Sequence, residues 1–525
     1  MSTLALGTGS NYPTYLGNVE RTDNAGSQGP ISTLNAHSLQ PLWSYATGGS
    51  VWSQAIVVNG VVYFGSSDGY EYALDATNGT FLWKTFLGVD GKDAGCPGTP
   101  GVTSTPTYLD HRLYLSGGNS TFYSLNATNG RILWQLPIGG TDAQGFYLWA
   151  SPLIYKDSAY VGIASQCDVP LVPAGLEKVS LATHREVAYF NSSVPNPNGS
   201  SIWGTPSINE RTNTIYVTTG NPYGRETSKY GESIIALNAT TLSVVASWQV
   251  PPAQTIGDGD FGVTPTLFNL ANGLGVVTAE NKNGYLYEWY QSNLTLVWED
   301  QIASVKDDHF STSEAYGSLF AVGLGATIGA TYYDSSISAI NPDNGAYLWR
   351  VGINSSADDD YAPALIVNHV LAVPVARTLH VLDAATGQGL YKDLPGGIMT
   401  PPASSSRGEI FAGAGPDLVA YDEQLELTAS QSRPSGPAPL NDSFIAAPRG
   451  GIPPYSYNWS FGNGTFSTAK DPTHIFGVTG AYTVTLRVTD LTGNVVNLQL
   501  NVTVSAPAGR WPRIPLPPRS SADFR

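Results

Sequence analysis

Several residue types are scarce in this chain. Its 525 residues include two cysteines and seven histidines, and 25 basic residues stand against 41 acidic ones. The histidines form no metal-spaced pair, and without a CxxCH motif the chain cannot hold a covalent haem. The net charge of −16 disfavours nucleic acid and anionic membranes as partners. No apolar run is long enough to span a membrane.

Lysine is sparse, whereas Ser, Thr, Asn, Gly and Tyr are abundant, which is typical of exported proteins. N-x-S/T sequons, the acceptors of N-glycosylation, recur along the chain. Examples are Asn78, Asn126, Asn238, Asn354 and Asn458. No signal peptide is visible after Met1. We expect an extracellular or cell-surface glycoprotein whose start is trimmed or misassigned; the alternative is a cytoplasmic protein.

One phrase returns along most of the chain. It reads YALDATNGTFLW at 72–83, YSLNATNGRILW at 123–134, ISAINPDNGAYLW at 337–349 and HVLDAATGQGLY at 380–391. Each copy has alternating residues, an Asn-Gly type turn that tolerates positive φ, and a final aromatic ring. One repeat therefore predicts an antiparallel sheet of three or four strands. Such sheets bury both faces only by stacking around an axis, as in a β-propeller.

Counting the copies predicts an eight-bladed propeller over residues 1–423. Seven copies are complete, and the eighth starts at Pro401 without a last strand. The segment Gln40–Tyr45 has the pattern of that missing strand, so we expect the N-terminal part to close the last blade and remove the open edge. Seven blades are the alternative, because the copies at 150–190 and 410–421 are degenerate.

The pattern changes after the propeller. Residues 424–441 are rich in Ser, Pro and Ala and predict a linker, part of which could belong to the next strand. The following stretch, 442–505, contains YSYNWSFGNG and GAYTVTLRVTD and resembles a PKD domain, an immunoglobulin-like β-sandwich common on cell surfaces. The tail 506–525 is rich in Pro and Arg and predicts disorder. The predicted fold class is all-β.

The central funnel is the expected binding region of a propeller. Most blades place a proline at the start of the inner strand, so the preceding residues should line one mouth. These residues include Trp149 and Trp203, and Asp258-Gly-Asp260 stands in the same place in the fifth blade. Aromatic faces beside carboxylates suit a flat polar ligand that chelates a metal. A packed funnel with solvated acids is the alternative.

The ordered set of motifs resembles the quinoproteins, eight-bladed propellers that bind pyrroloquinoline quinone (PQQ). That family has a Trp-Gly floor followed by GTGNP, and this chain has Trp203-Gly204 and then Thr218-Thr-Gly-Asn221-Pro222. The family's catalytic Asp corresponds to Asp260, and its KNG or RNG turn to Lys282-Asn-Gly. The family's calcium-binding Glu falls at Cys167-Asp168.

The resemblance implies a site for PQQ and Ca²⁺. Asn221, Asp168 and Asp260 would bind the cation, for which hard oxygen donors are suited. Asp260 would also act as the catalytic base and Lys282 would contact the quinone oxygens. The cofactor would lie on Trp203, near Trp149.

The two cysteines depart from the family, in which catalytic members carry an adjacent cysteine pair above the quinone. Cys96 and Cys167 both fall near the predicted funnel mouth. In an oxidising compartment they would pair. We predict a Cys96–Cys167 disulfide that partly replaces the missing roof of the cofactor.

Two functions remain open. One is a PQQ-dependent dehydrogenase that oxidises an alcohol or sugar and passes electrons to an external acceptor, because the chain has no haem. The other is a non-catalytic propeller for cell-surface adhesion, scaffolding or assembly, which would contact surface proteins or glycans through the PKD domain.

Overall fold

The structure is a computed structural model. It describes residues 12–26, 29, 31–91, 100–224, 228–303, 312–354, 362–375, 377–393, 400–404, 408–451, 453–491 and 493–507. The chain divides into two compact units, Met1–Glu423 and Gln424–Arg525. Within the described residues the helices are short 3₁₀ turns at Ala36–Ser38, Asp142–Gln144 and Pro252–Gln254. None of the helices described is long or apolar enough to cross a membrane.

The first unit contains eight antiparallel sheets, which confirms the predicted eight-bladed propeller. Each blade is named here by its order in the chain, and its strands are A to D from the axis outward. The A strands of neighbouring blades contact one another around the axis. The D strands carry many of the exposed apolar side chains.

Strands A to D of blades 1 and 2 are Ile56–Val58, Val61–Gly65, Tyr70–Asp75 and Phe81–Phe86, then Thr107–Leu109, Arg112–Ser116, Thr121–Asn126 and Ile132–Pro137. Those of blades 3 and 4 are Leu153–Tyr155, Ser158–Ser165, Gly175–Ser180 and Arg185–Asn191, then Ser207–Asn209, Thr214–Thr218, Ser233–Asn238 and Val244–Gln249. Blade 3 also pairs the short strand Phe146–Tyr147 with its strand B.

Strands A to D of blades 5 and 6 are Thr266–Asn269, Gly275–Glu280, Tyr285–Tyr290 and Leu296–Gln301, then Ser313–Ala315, Ser318–Ile328, Thr331–Ile340 and Tyr347–Ile353. Those of blades 7 and 8 are Leu365–Val367, Val370–Val375, Thr378–Asp383 and Gly389–Asp393, then Ala403–Ser404, Ile410–Ala414, Asp417–Glu423 and Leu39–Ala46.

Blade 8 is built from both ends of the propeller sequence, as predicted. Leu39–Ala46 runs antiparallel to Asp417–Glu423, with Leu39 opposite Glu423 and Ala46 opposite Asp417. The ring therefore closes through backbone hydrogen bonds between segments that are distant in the chain.

The repeated phrase has a structural role between blades. The indole of a D strand donates a hydrogen bond to a carbonyl after strand C of the next blade. The donor and acceptor pairs are Trp43 and Ala76, Trp83 and Ala127, Trp298 and Pro342, and Trp349 and Ala384. The ring also covers the turn glycine of that next blade: a Cβ on Gly130, at φ +71°, would lie 2.5 Å from Trp83. In these four pairs the phrase thus couples one blade to the next.

Residues 12–26 form a strap that follows the A strands from blade to blade. Backbone amides of the A strands donate to strap carbonyls, as in Tyr108 to Pro13, Ile208 to Val19, Leu267 to Glu20, Glu314 to Thr22 and Ile366 to Asp23. The last three strap residues, Asn24–Gly26, pair in parallel with strand A of blade 7. No repeat phrase marks this segment, and the sequence did not predict it.

The second unit is a β-sandwich, as the PKD resemblance predicted. One sheet contains Glu426–Gln431, Leu440–Arg449 and Thr473–Phe476 in that order. The other contains Ser435–Pro437, Val495–Ser505, Gly480–Thr489, Ser456–Ser460 and Phe466–Ser467. Its core surrounds the buried Trp459.

The segment 424–441 differs from the linker that its composition predicted. Glu426–Gln431 pairs with Leu440–Arg449, and Ser435–Pro437 pairs with the last strand. The prolines and serines stand at strand ends and on exposed positions, where they leave the backbone pairing intact. Most of the predicted disordered tail lies outside the described residues.

Candidate cofactor and metal site at one mouth of the propeller

The alternating direction of the strands brings distant residues to one mouth. In every blade the start of strand A and the connection between strands B and C lie at the same end of the sheet. Asp168, Asn221 and Lys282 stand in the B–C connections of blades 3, 4 and 5. Trp203 precedes strand A of blade 4, and the Asp258–Asp260 segment precedes strand A of blade 5. Neighbouring blades therefore supply one cluster.

Three carboxylates meet in this cluster. One oxygen from each of Asp168, Asp258 and Asp260 lies within 4.8 Å of the others. The Asn221 side-chain amide donates to Asp258 at 2.5 Å and to Asp168 at 3.2 Å, and its oxygen accepts from the Gly259 amide at 3.1 Å. The cluster thus offers three carboxylates, the ligand type that hard cations take, while Asn221 turns its amide nitrogen toward Asp168 and Asp258 and its oxygen toward Gly259.

Lys282 completes the charge pattern. Its Nζ lies 3.1 Å from Asp258 and 3.2 Å from Asp260, and the Lys282 side chain is only 12% exposed. Its backbone amide donates to the Asp260 carbonyl at 3.0 Å, which fixes the turn against the Asp258–Asp260 segment. The ammonium also lies 5.4 Å from the centre of the Trp203 ring. The Lys282 ammonium therefore lies beside two carboxylates and one indole ring.

The two acids of the Asp-Gly-Asp segment differ in environment. Burial raises the pKa of Asp260 to about 7, against the opposing charge of Lys282. Burial alone would also raise the pKa of Asp258, but the hydrogen bond from Asn221 and the charge of Lys282 hold it below its usual value. Asp260 is thus a buried acid near its titration point, whereas the more exposed Asp258 is ionised.

Glycines allow the side chains to approach. The Asn221 backbone amide donates to the Asp260 carboxylate, and a Cβ on Gly220 would lie 2.5 Å from that carboxylate. A Cβ on Gly262 would collide with the six-membered ring of Trp203. Trp203 is half-buried, so part of its indole borders the mouth.

The remaining predicted residues lie apart or outside the described chain. Trp149 is half-buried on blade 3, donates to the Ser165 carbonyl at 3.1 Å and packs 4.5 Å from Tyr147. Among the described residues, these contacts of Trp149 are with Ser165 and Tyr147 rather than with the carboxylates. Cys167, next to Asp168, is disulfide-bonded. Cys96 lies outside the described residues, so the Cys96–Cys167 pair stays a prediction.

The sequence predicted five residues at one mouth, and the structure places them together. They are Asp168, Asn221, Trp203, Asp260 and Lys282. The sequence did not assign a role to Asp258, whose carboxylate joins the cluster. The signal was the Asp-Gly-Asp spacing, since a glycine between two acids lets both turn toward one point.

Two family models match the chain. Residues 27–300 match the PQQ-repeat model described as outer membrane protein assembly factor BamB, and residues 422–505 match the PKD domain. The first match covers slightly more than half of the chain.

Among individual proteins, the chain resembles two polyvinylalcohol dehydrogenases. That of Sphingopyxis sp. (strain 113P3) is 22% identical over 462 residues, covering 74% of this chain and 68% of the relative. That of Pseudomonas sp. is 23% identical over 315 residues, covering 52% of this chain and 48% of the relative. The chain therefore spans about half of one relative and two thirds of the other.

Among solved structures, a europium-containing methanol dehydrogenase aligns with a TM-score of 0.66 at 14% identity, covering 78% of this chain and 98% of that one. At this identity the likeness supports the fold alone. With eight closed blades, the match over residues 27–300 and the sandwich at 422–505, the chain belongs to the PQQ-like propeller family whose model is described as outer membrane protein assembly factor BamB, followed by a PKD domain.

Proposed function

We propose that this protein is a dehydrogenase of the quinoprotein type that oxidises an alcohol or sugar outside the cytoplasm, with PQQ and a hard cation such as Ca²⁺. The observation that carries the proposal is the cluster of Asp168, Asn221, Asp258, Asp260 and Lys282 beside the Trp203 indole. The names of the relatives, which are alcohol dehydrogenases, support the same chemistry.

The residues present fit both groups. The carboxylates of Asp168 and Asp258 offer hard donors for the cation, and Asn221 would add its amide oxygen after a half-turn of the side-chain amide, which here directs its nitrogen to both acids. The half-buried face of Trp203 offers a flat surface for an aromatic ring, and the Lys282 ammonium above it suits an anionic or quinone oxygen. When bound, PQQ would accept the two electrons released as one CH–OH group becomes a carbonyl, and an external acceptor would reoxidise it.

Asp260 is the base in this proposal. Its carboxylate is largely buried and is held by the Asn221 amide and by Lys282, so it has one orientation. A carboxylate held in this way can take the hydroxyl proton of an alcohol placed beside it. The charge of Lys282 lowers the pKa of Asp260 against the effect of burial, and the ammonium would orient the carboxylate.

A second candidate is a non-catalytic assembly or surface scaffold. It is favoured by the description of the matching family model and by the ion pairs through which Lys282 already offsets Asp258 and Asp260. In that case the cluster would be a structural ion-pair network and the protein would bind no quinone.

The test is reconstitution of the full chain with PQQ and Ca²⁺, read by the absorbance of bound quinone and by reduction of a redox dye with alcohols, aldoses and polyvinyl alcohol. Asp260→Asn should lower turnover by a factor of roughly 10² or more while quinone absorbance persists, because the amide keeps the shape and removes the base. Asp142, a half-buried acid in the 3₁₀ turn before blade 3, supplies the matched control, Asp142→Asn, which should retain turnover.

Cation binding can be read without activity. Eu³⁺, another hard cation, should give a luminescence titration that Asp168→Asn and Asp258→Asn weaken and Asp142→Asn does not. If no quinone binds and no substrate reduces the dye, the dehydrogenase proposal is wrong and the non-catalytic scaffold is favoured.

A further inference from the structure

The Asp258–Asp260 segment lies outside the strands of blade 5, so contacts from other elements must hold its two acids in place. Its middle residue, Gly259, has no side chain, and glycine leaves the backbone more conformational freedom than any other residue. A rotation at Gly259 would move one carboxylate relative to the other, and the cluster depends on the short distance between them. The partners of the two peptide groups that flank Gly259 therefore matter for the site.

One asparagine side chain holds each of these two peptide groups. The Gly259 amide donates to the Asn221 Oδ1 at 3.1 Å, and the Gly259 carbonyl accepts from the Asn281 Nδ2 at 2.7 Å. The following carbonyl, that of Asp260, accepts from the Lys282 backbone amide at 3.0 Å. The turn that begins at Asn281 thus holds two successive carbonyls of the segment that carries the acids.

A second partner fixes the orientation of the Asn281 side-chain amide. Asn281 is buried, and its Oδ1 accepts from the Asn283 backbone amide at 2.9 Å. Because a backbone amide can only donate, the Oδ1 must face Asn283, and the Nδ2 must face the Gly259 carbonyl. The Asn221 amide, by contrast, has to turn before its oxygen reaches a cation between the acids. Gly259 would then lose that acceptor and keep its hydrogen bond with Asn281.

The turn itself does not require asparagine at its first position. Blade 1 has Ser66 there and blade 2 has Gly117. In all three blades the backbone amide of this residue donates to the carbonyl of the first residue of strand C. A serine or a glycine therefore supports the turn, and the feature that Asn281 adds is a side chain that reaches Gly259.

We propose that Asn281 is a positioning residue, which fixes the Gly259 carbonyl and thereby keeps Asp258 and Asp260 close enough to bind one cation. The proposal rests on the cation site of the proposed function, on which Asn281 acts through Gly259. Removal of a hydrogen bond that orients metal ligands typically lowers metal affinity by about 10- to 100-fold. Asn281 carries no charge, so a neutral replacement leaves the electrostatic attraction of the carboxylates for the cation unchanged.

The test uses Asn281→Ser in the full chain, because serine supports the turn, as in blade 1, but is too short to reach Gly259. Titration with Eu³⁺ alone, followed by luminescence, should show an affinity at least about tenfold weaker than that of the parent chain. The luminescence lifetime should shorten as well, since water replaces a carboxylate on the ion. The matched control is Asn283→Ser in the same turn, whose side-chain amide donates to Gln254 and Tyr287. This control should bind Eu³⁺ as the parent chain does.

Hydrogen exchange, measured by mass spectrometry, separates this proposal from the cation site itself. In Asn281→Ser the peptide spanning 258–262 should exchange faster than in the parent chain and in Asn283→Ser. If the parent chain does not bind Eu³⁺ but this difference in exchange is found, the cation site is wrong and the positioning role of Asn281 stands. The positioning role is wrong if the exchange of this peptide is the same in Asn281→Ser and the parent chain. It is also wrong if the parent chain binds Eu³⁺ and the two variants bind it equally.

Discussion

At the scale of single residues, the mouth of the propeller is a balance between three carboxylates and one ammonium. The order of the motifs and the resemblance to quinoproteins predicted that Asn221, Asp260 and Lys282 share one mouth, because each lies at a fixed place in a blade, and their roles stay a proposal. The contacts of Asp258 and Gly220 could not be predicted from the motifs. They depend on how closely two connections approach, and that distance is set by packing between blades.

Buried acids elsewhere in the propeller give a prediction on pH. Both carboxylate oxygens of Glu71 are buried without a hydrogen-bond partner, and burial raises the pKa of Glu71 well above its ordinary value. The folded protein therefore keeps a proton that the unfolded chain releases once the pH exceeds the ordinary glutamate pKa. Stability contributed by this group is present at low pH and falls as the pH rises.

We expect Glu71→Gln to leave the thermal midpoint nearly unchanged at pH 5 and to raise it at pH 8, because glutamine resembles the neutral acid. Thermal unfolding followed by circular dichroism measures both midpoints. Glu186→Gln, on an exposed strand position, should change neither. Equal slopes of midpoint against pH for Glu71→Gln and the parent chain would contradict the assignment.

At the scale of elements, the tryptophan of one blade and the glycine of the next form a repeated joint. The repeat phrase predicted the strands, the turns and a ring between sheets, and the structure confirms them. The partner of each indole could not be predicted, because the carbonyl and the glycine that receive it stand roughly one repeat later in the chain.

Two glycines in similar turns test this joint. Gly60 and Gly130 have φ values of +78° and +71°, but only Gly130 faces an indole, that of Trp83. Alanine at either position costs about 1 kcal/mol for the left-handed backbone. Gly130→Ala should cost roughly 1–3 kcal/mol more, because its Cβ collides with the ring. Urea unfolding of both variants measures the difference, and equal costs would refute the joint.

At the scale of the whole molecule, the strap at 12–26 ties the inner strands together. Arg21 is fully buried within it and donates to the Pro206 carbonyl at 3.2 Å, to Thr14 at 3.0 Å and to the Tyr15 carbonyl at 2.6 Å. The eight blades could be predicted because the repeated phrase specifies the strands and turns of each blade through its side chains. The strap was not, because its contacts are mainly backbone hydrogen bonds that leave little pattern in the sequence.

Arg21→Met should remove the charge while keeping much of the volume. It removes the four hydrogen bonds that Arg21 donates to Pro206, Thr14, Tyr15 and Asn18, so we expect a loss on the order of 3 kcal/mol in the free energy of unfolding. Hydrogen exchange at the amides of Ile208, Leu267 and Glu314 should accelerate, since these bond the strap. Arg131→Met, at an exposed turn, is the control and should alter neither measurement. Unchanged exchange at all three amides would argue against a stabilising strap.

The closure of blade 8 has a consequence for how the protein is made. Leu39–Ala46 leaves the ribosome early, but its partner strand, Asp417–Glu423, follows only after seven blades have been synthesised. The closing strand must therefore remain unpaired throughout translation, and contacts between such distant segments form slowly. An unpaired strand edge invites association with other chains during that interval. The strand that completes blade 8 in the finished molecule thus imposes a period of exposure during biogenesis, in which a chaperone would be most needed.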